Sequence, residues 1–358
     1  AVEHHRRALS LNPSLAPAQV NLGSALEILV RWDEARTAYE QAIALAPELP
    51  QAHAFLSTLL LLHEDYERGW TEFEWRLKCG PPNPAPELHG PIWEGQPLAG
   101  RTILIYNNEG GFGDSLHFIR YATLLTKRGA TVAVACEPEL CRLFQSIPGV
   151  RIFAREGSLP RYDFHSPLQS LPRYFRTNAE TIPADVPYLG PTPEAVEHWR
   201  ECVAALPGLR VGIAWAGSGT DLRSDSLEIF AACAEVEGVS FVSLQKGRHS
   251  AHALQPPAGM RIVDWTGEIA DFADAAGLVS LLDLVITVDT STAHLAGALA
   301  RPTRVLIPSS PDFRWLLGRN DSPWYPTMRL YRQSKLYEWE EPVRAMADDL
   351  AKWSRNAR

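Results

Sequence analysis

The chain has 358 residues, of which 46% are hydrophobic and 21% charged, an ordinary composition for a globular protein of two or three domains. A formal net charge of −8 argues against a nucleic-acid groove or a broad membrane-binding surface, so an anion site would have to be built locally. Five cysteines without C-x-x-C spacing fit a reducing cytoplasm rather than a disulfide framework.

We expect no membrane span, because no apolar run is long enough to cross a bilayer, and no signal peptide is visible. The chain begins without Met and inside a helical pattern, which indicates a fragment of a longer protein. A cytoplasmic location is the expectation that follows from these features.

Residues 1–79 repeat themselves 34 positions apart. The matching pairs include Ala8 and Ala42, Leu11 and Leu45, Pro13 and Pro47, and Tyr39 and Phe73. This period resembles that of tetratricopeptide repeats, in which helix pairs bury their apolar faces by stacking on one another. The resemblance implies a scaffold or a docking surface for a protein partner. For so short an array, a simple cap on the next domain is the alternative.

A proline-rich linker is predicted at 80–100, semi-rigid and pinned at its end by Trp93. Strands and helices then alternate, as in α/β domains with parallel sheets. We predict one such domain at 101–190 and a second at 191–335, followed by an amphipathic helix within 336–358. The predicted strands are 102–106, 131–135, 151–153, 210–215, 240–244, 261–264, 284–288 and 303–307, and the helices are 114–128, 137–146, 194–206, 226–235 and 292–300.

A glycine-rich turn that contains Glu109, Gly110, Gly111 and Gly113 follows the first strand. Its spacing differs from the G-x-G-x-x-G dinucleotide fingerprint, so this turn alone does not predict a dinucleotide site. Asp114 comes next, at the predicted start of a helix, where an acidic residue is favoured. Capping of the helix is one interpretation of Asp114, and catalysis is the other.

In the second predicted domain, polar clusters follow the strands, which is where open α/β sheets place ligands. These clusters contain Gly217, Ser218, Arg223, Gln245 and Lys246. Trp215 and Trp265 could stack on a nucleotide base, although a Trp at a strand end is more often part of the core.

The buried strand at 284–288 leads into a polar helix start. It is made of Asp289, Thr290, Ser291, Thr292 and His294. The first turn of a helix leaves N–H groups unpaired and carries partial positive charge, so such a place holds phosphate. Side-chain oxygens here also suit a helix cap, and a histidine in this position can be purely structural. Phosphate binding and a structural role are both open on spacing alone.

Three segments resemble the bacterial heptosyltransferase-like (family 9) glycosyltransferases. Asp289 to Pro302 is similar to their D-T-x-x-x-H-L-A-G-A-L-G-x-P signature, with Ala300 in place of the last Gly. Glu109 to Leu116 is similar to their G-x-G-D-x-(I/L) turn. Trp215 to Ser224 is similar to a W-x-G-(S/N) … R-S stretch, but this chain is a few residues shorter before Arg223.

The resemblance implies a GT-B arrangement, in which two Rossmann-like domains face each other across a cleft and the last helix crosses back to the first domain. It implies that Asp114 is the base on an acceptor hydroxyl, beside the loop of Glu109, Gly110, Gly111 and Gly113. The predicted donor-side residues are Asp289, Thr290, Ser291, Thr292, His294, Gly217, Ser218, Arg223, Gln245 and Lys246. A partial match over 313–326 implies packing roles for Arg314, Trp315, Trp324 and Tyr325.

The implied reaction moves a hexosyl or heptosyl group from a nucleotide diphosphate sugar to a hydroxyl of a glycan or protein, with inversion. No D-x-D carboxylate pair of the metal-binding kind appears, so we expect no metal and no cofactor other than the donor. Two alternatives remain. One is a nucleotide-sugar epimerase of the same fold, and the other is a non-catalytic, repeat-based binding module with a vestigial cleft.

Overall fold

The computed structural model describes residues 1–80, 88–107, 110–217 and 226–356. An N-terminal helical segment comes first, with helices α1 Val2–Leu11, α2 Ala16–Ile28, α3 Trp32–Leu45, α4 Pro50–Leu62 and α5 Tyr66–Phe73, and a 3-10 helix at Glu74–Lys78. Successive helices pack on one another around a core that includes Leu26, Tyr39 and Leu56. Gly23 lies against the Tyr39 ring, where a Cβ would come within 2.4 Å of a ring carbon. The stacked helices are present as predicted, and their assignment as tetratricopeptide repeats stays a prediction.

The first domain contains β1 Thr102–Tyr106, α6 Phe112–Phe118, α7 Arg120–Lys127, β2 Thr131–Cys136, α8 Pro138–Phe144, β3 Val150–Ala154, β4 Phe164–Pro167 and α9 Leu171–Tyr174. Its sheet is parallel, in the order β3-β2-β1-β4. The predicted helix at 114–128 in fact starts two residues earlier and breaks at Ile119. β4 was not predicted, because its short sequence, which includes His165 and Ser166, carries no apolar alternation.

The second domain contains α10 Pro193–Ala204, β5 Leu209–Ala214, α11 Ala231–Ala234, β6 Val239–Ser243, β7 Ile262–Val263, α12 Phe272–Leu281, β8 Leu284–Val288, α13 Ser291–Ala298, β9 Thr303–Ile307, β10 Met328–Arg332 and α14 Glu340–Asn356. Its sheet is also parallel, in the order β10-β9-β8-β5-β6-β7. The predicted helix at 226–235 is instead a 3-10 turn followed by the single turn of α11.

Two separate parallel sheets are therefore present, and helices from each domain meet between them. α6 of the first domain packs on α13 of the second, and α8 packs on α12. Trp93 is fully buried and its backbone N–H donates to His165 O at 2.8 Å, which ties the end of the linker to the first sheet. Most of the proline-rich run, 81–87, lies outside the described residues.

The closing helix α14 differs from the expectation. Its main contacts are with α11, β9 and β10, and its apolar residues Val343, Met346 and Leu350 join the core of the second sheet. The predicted crossing back to the first domain is therefore wrong, because the apolar face of α14 covers its own domain. Among the described residues, no helix has both the length and the apolar character needed to cross a membrane.

Candidate functional site at the contact of the two domains

The start of α13 has no side-chain cap from its N-cap residue. β8 is buried along its whole length and ends at Val288. Thr290, two residues later, is the N-cap residue of α13, and its side chain makes no capping hydrogen bond. The Thr290 hydroxyl instead lies 3.3 Å from the Thr287 hydroxyl. By contrast, Asp271 caps α12 by accepting from the backbone N–H groups of Ala273 and Asp274 at 2.8 and 3.1 Å. The expected side-chain cap of α13 is thus not formed, which leaves this helix start suited to an anion from outside.

The predicted phosphate residues at this start differ in exposure. Ser291 and Thr292 are half-buried at the first turn, whereas Asp289 is buried. The charge of Asp289 helps to raise the pKa of Arg314. The Asp289 carboxylate thus interacts electrostatically with the arginine, whereas the Ser291 and Thr292 side chains stay partly accessible at this helix start.

His294 is buried in an aromatic cluster, with only 5% of its surface exposed. Its Nδ1 lies 2.9 Å from the Tyr325 hydroxyl, and its ring stacks on Trp315 at 5.6 Å. His117 of the first domain reaches the same hydroxyl through its own Nδ1 at 3.0 Å. Burial and the nearby Arg120 and Arg314 cations hold the pKa of His117 well below its usual range, which favours its neutral form.

The glycine turn of the first domain touches α13. A Cβ on Gly113 would lie 3.0 Å from His294 Cδ2, so the turn and the first turn of α13 are in direct contact. Gly110 has a φ of +76°, and a Cβ there would lie 2.2 Å from Asp114 Oδ2, so glycine is required at this position. Gly111, in contrast, faces open space. Glu109 of the same predicted loop lies outside the described residues.

Asp114 holds two partners. Its Oδ2 accepts a hydrogen bond from the Gly111 N–H at 2.9 Å, and its Oδ1 accepts from Arg314 Nη2. About a quarter of its side chain remains exposed, so the carboxylate is still accessible to solvent. The capping interaction that the sequence left open is therefore present, and it is joined by an ion pair that the sequence did not predict.

Arg314 is the residue that sequence reasoning missed. The partial family match implies only a packing role for it, but its buried guanidinium links Asp114 of the first domain to Asp312 of the second, at 2.9 and 3.0 Å from the two Asp312 oxygens. Burial lowers the pKa of Arg314, but Asp312, Asp114 and Asp289 outweigh it and raise the pKa overall. The only signal was the partial family match at 313–326, which carries no indication of a partner 200 residues away.

Gln245, predicted to contact the sugar donor, instead makes hydrogen bonds to backbone groups in the structure. Its Oε1 accepts from the backbone N–H groups of Trp215 and Ala216 at 3.0 and 2.9 Å, and its Nε2 donates to Lys246 O. Because both ends of the amide are used, Gln245 shapes the carboxyl end of β5. Lys246 donates its Nζ to Ile269 O, although its side chain is exposed.

Neither tryptophan is placed as a base-stacking surface. Trp215 is fully buried and its indole N–H donates to His249 O at 3.2 Å. Trp265 stacks on Trp199 with ring centroids 6.1 Å apart. Gly217 is half-buried after β5, while Ser218 and Arg223 lie outside the described residues. Within the described ranges, no cluster of three or more His, Cys, Asp or Glu side chains could hold a metal ion.

This fold is that of solved family 9 glycosyltransferases. The glycosyl transferase family 9 structure from Veillonella parvula DSM 2008 superposes with a TM-score of 0.53 at 11% identity, over 72% of this chain and 99% of that one. The Escherichia coli ADP-heptose LPS heptosyltransferase II superposes with a TM-score of 0.53 at 16% identity, over 72% of this chain and 100% of that one. At such identities the likeness shows the fold.

In sequence, the chain is similar to Protein FlbA of Caulobacter vibrioides, with 27% identity over 350 residues. The match covers 88% of this chain and 58% of the relative, so the chain spans little more than half of the curated protein it matches. No family model matches the chain.

Proposed function

We propose that this chain is an inverting, metal-independent glycosyltransferase that moves a sugar from a nucleotide diphosphate sugar to a hydroxyl of a glycan or protein. The observation that carries the proposal is the meeting of α6 and α13. It puts an uncapped helix start, suited to phosphate, in direct contact with the turn that presents Asp114.

The donor diphosphate would lie at the start of α13. Departure of a nucleoside diphosphate leaves negative charge on phosphate, so the main electrostatic task is to stabilise that charge. The N–H groups of Ser291 and Thr292 have no intrahelical acceptor, and their hydroxyls lie at the same turn. His294 would add a hydrogen bond from the same turn of the helix.

Asp114 would act on the acceptor. In an inverting transfer the acceptor oxygen attacks the anomeric carbon on the face opposite the diphosphate, and its proton passes to a base. Both Asp114 oxygens have a partner, but each carboxylate oxygen has a further lone pair that can accept the proton. The exposed quarter of the side chain gives the acceptor access.

The structural likeness to the ADP-heptose LPS heptosyltransferase II suggests an ADP-sugar as the first donor class to try. The N-terminal helical segment fits a protein or polymeric acceptor, or a protein partner, better than a small one. The reaction at the start of α13 needs no nucleic acid and no membrane span.

One observation favours a second candidate, a non-catalytic binding module. The Asp114 carboxylate already caps α6 and pairs with Arg314, as a purely structural residue would. Calorimetry with ADP, UDP and GDP, beside assays of sugar release and transfer from the corresponding sugars, separates the candidates. Nucleotide binding with transfer supports the enzyme, binding without any turnover supports the module, and interconversion of two free sugar nucleotides supports an epimerase.

Metal independence has its own test. We expect transfer to be unchanged after exhaustive chelation of divalent ions, because helix N–H groups and side chains meet the phosphate charge. A loss of activity on chelation that Mg²⁺ or Mn²⁺ restores would refute this part of the proposal.

A further inference from the structure

Arg314 lies where three parts of the chain meet. It belongs to a 3-10 helix at Phe313–Trp315 in the second domain, and its guanidinium pairs with Asp114 in the first. The same short helix is in contact with α4 of the N-terminal helical segment. A single buried side chain therefore sits between both domains and the helices that precede them.

Two aromatic rings and a carboxylate of its own domain surround the guanidinium. Its central carbon lies 5.0 Å from the centroid of the Phe118 ring and 4.6 Å from that of the Phe313 ring. Asp312 binds one of its terminal nitrogens through both carboxylate oxygens. Two nearby rings and the carboxylates of Asp312 and Asp114 leave this planar cation little freedom to turn.

Phe313 is in turn wedged against α5. Its ring centroid lies 5.7 Å from that of Trp70 and 5.8 Å from that of Phe73, both edge-on. The Trp70 indole N–H donates to Thr177 O of the first domain at 2.8 Å. These aromatic residues are buried, with exposures of 3% for Trp70, 7% for Phe73 and 4% for Phe313. α5 thus fixes the loop of Arg314 and the first domain at one place.

We propose that Arg314 is the positioning residue for the Asp114 carboxylate, and that α5 holds Arg314 in place through Phe313. The proposal rests on the glycosyltransferase function proposed above. With Arg314 on one oxygen and the Gly111 N–H on the other, the carboxylate has one orientation at the start of α6. The N-terminal helical segment is then part of the catalytic unit, in addition to any partner it binds.

The first experiment needs no sugar donor. Phe73→Leu removes an aromatic ring that packs against Phe313. Phe55→Leu is the matched control, because it makes the same change at an exposed ring on α4 that stacks on Tyr39 within the N-terminal helical segment. Hydrogen exchange of the amides from Gly111 to Ser115 is measured in the intact chain. We expect about tenfold or faster exchange in Phe73→Leu, with Phe55→Leu like the parent. Equal exchange in all three proteins overturns the role of α5, whether or not the chain is an enzyme.

The second experiment uses whichever nucleotide sugar is turned over. Arg314→Gln should lower kcat by about 100-fold, the effect of a misplaced catalytic group, while ADP affinity by calorimetry is unchanged. Arg314→Lys should recover part of kcat, since it keeps a cation beside Asp114. In an Asp114→Asn background, Arg314→Gln should cost little more, because both changes act on one carboxylate.

The rival role for Arg314 is direct binding of the donor, since its Nε–H has no partner among the described residues. A fall in ADP affinity in Arg314→Gln with kcat unchanged, or additive losses in the double variant, overturns the positioning role. If no nucleotide sugar is turned over, the proposed function fails, and the exchange experiment still decides whether α5 holds the Arg314 and Asp114 pair.

Discussion

The first turns of α6 and α13 are in contact, but only α6 has a side chain that accepts a hydrogen bond from its first backbone N–H groups. α6 follows β1 and carries its own anion, because Asp114 accepts from the Gly111 N–H at its first turn. α13 follows β8 and has no side-chain cap, although Thr290 stands where one would form. Both helices begin at the carboxyl end of a parallel strand, so the difference comes from the residues of the two turns.

That difference in capping predicts that the two turns bind different groups. A helix start that is neutralised by its own carboxylate has little attraction left for a second anion, whereas an open start retains it. The acceptor side of the site is therefore expected at α6 and the diphosphate at α13. The following changes test this division, from the largest expected effect to the smallest.

Asp114→Asn keeps an oxygen for the Gly111 N–H but removes the basic carboxylate. We expect transfer to fall by roughly 10²–10⁴-fold, the usual contribution of a general base, while nucleoside diphosphate affinity stays near the parent value. Turnover with the active donor and calorimetry with its nucleotide give the two numbers. Transfer at the parent rate in a folded variant would mean that Asp114 only caps α6. Glu109 would then be the next candidate for the general base.

His294→Ala should weaken nucleoside diphosphate binding by about 1.5–3 kcal/mol if the imidazole donates to phosphate. His117→Ala is the matched control, because His117 is also buried and bonds to the same Tyr325 hydroxyl, but belongs to the first domain. Calorimetry on both variants should show a loss for His294 alone. Equal losses would mean that only the packing of the cluster matters.

Gly110→Ala should lower the free energy of unfolding by at least about 1–3 kcal/mol, because Ala is strained at positive φ and its Cβ would strike Asp114. Gly111→Ala, one residue later in open space, should cost less than about 1 kcal/mol as a weaker N-cap. Denaturant unfolding of both variants checks the order. A reversed order would show that the α6 turn does not depend on the closeness of Gly110 to the carboxylate.

Glu27, a carboxylate of the N-terminal helical segment, provides a test of how stability depends on pH. Burial raises the pKa of Glu27 from 4.5 to about 7, against the smaller opposing effect of its hydrogen bond with Tyr39. The folded chain therefore binds this proton more tightly than the unfolded one, so the contribution of Glu27 to stability is fully present below pH 4.5 and lost as pH rises through 7. Glu27→Gln should flatten this part of the stability profile, measured by thermal unfolding between pH 4.5 and 8. An unchanged slope would place the pH dependence elsewhere.

The sequence predicted the buried strands well and the site only in part. The strand at 284–288 is observed as Leu284–Val288, and that at 303–307 as Thr303–Ile307, because short apolar runs rich in β-branched residues favour strands buried on both faces. The Asp114 and Arg314 pair could not be predicted, since no periodicity joins residues 200 positions apart. The position of Gln245 at a strand end predicts a ligand contact. In the structure, its side chain instead bonds to backbone groups of a neighbouring strand end, which the sequence pattern does not show.

The Tyr325 hydroxyl constrains how the molecule can move. It lies 3.0 Å from His117 Nδ1 and 2.9 Å from His294 Nδ1, and Arg120 of the first domain donates to Trp324 O beside it at 2.8 Å. A separation of the domains by little more than half an ångström here would stretch these hydrogen bonds beyond their normal range. Any rotation of one domain against the other that keeps these hydrogen bonds must therefore turn about Tyr325.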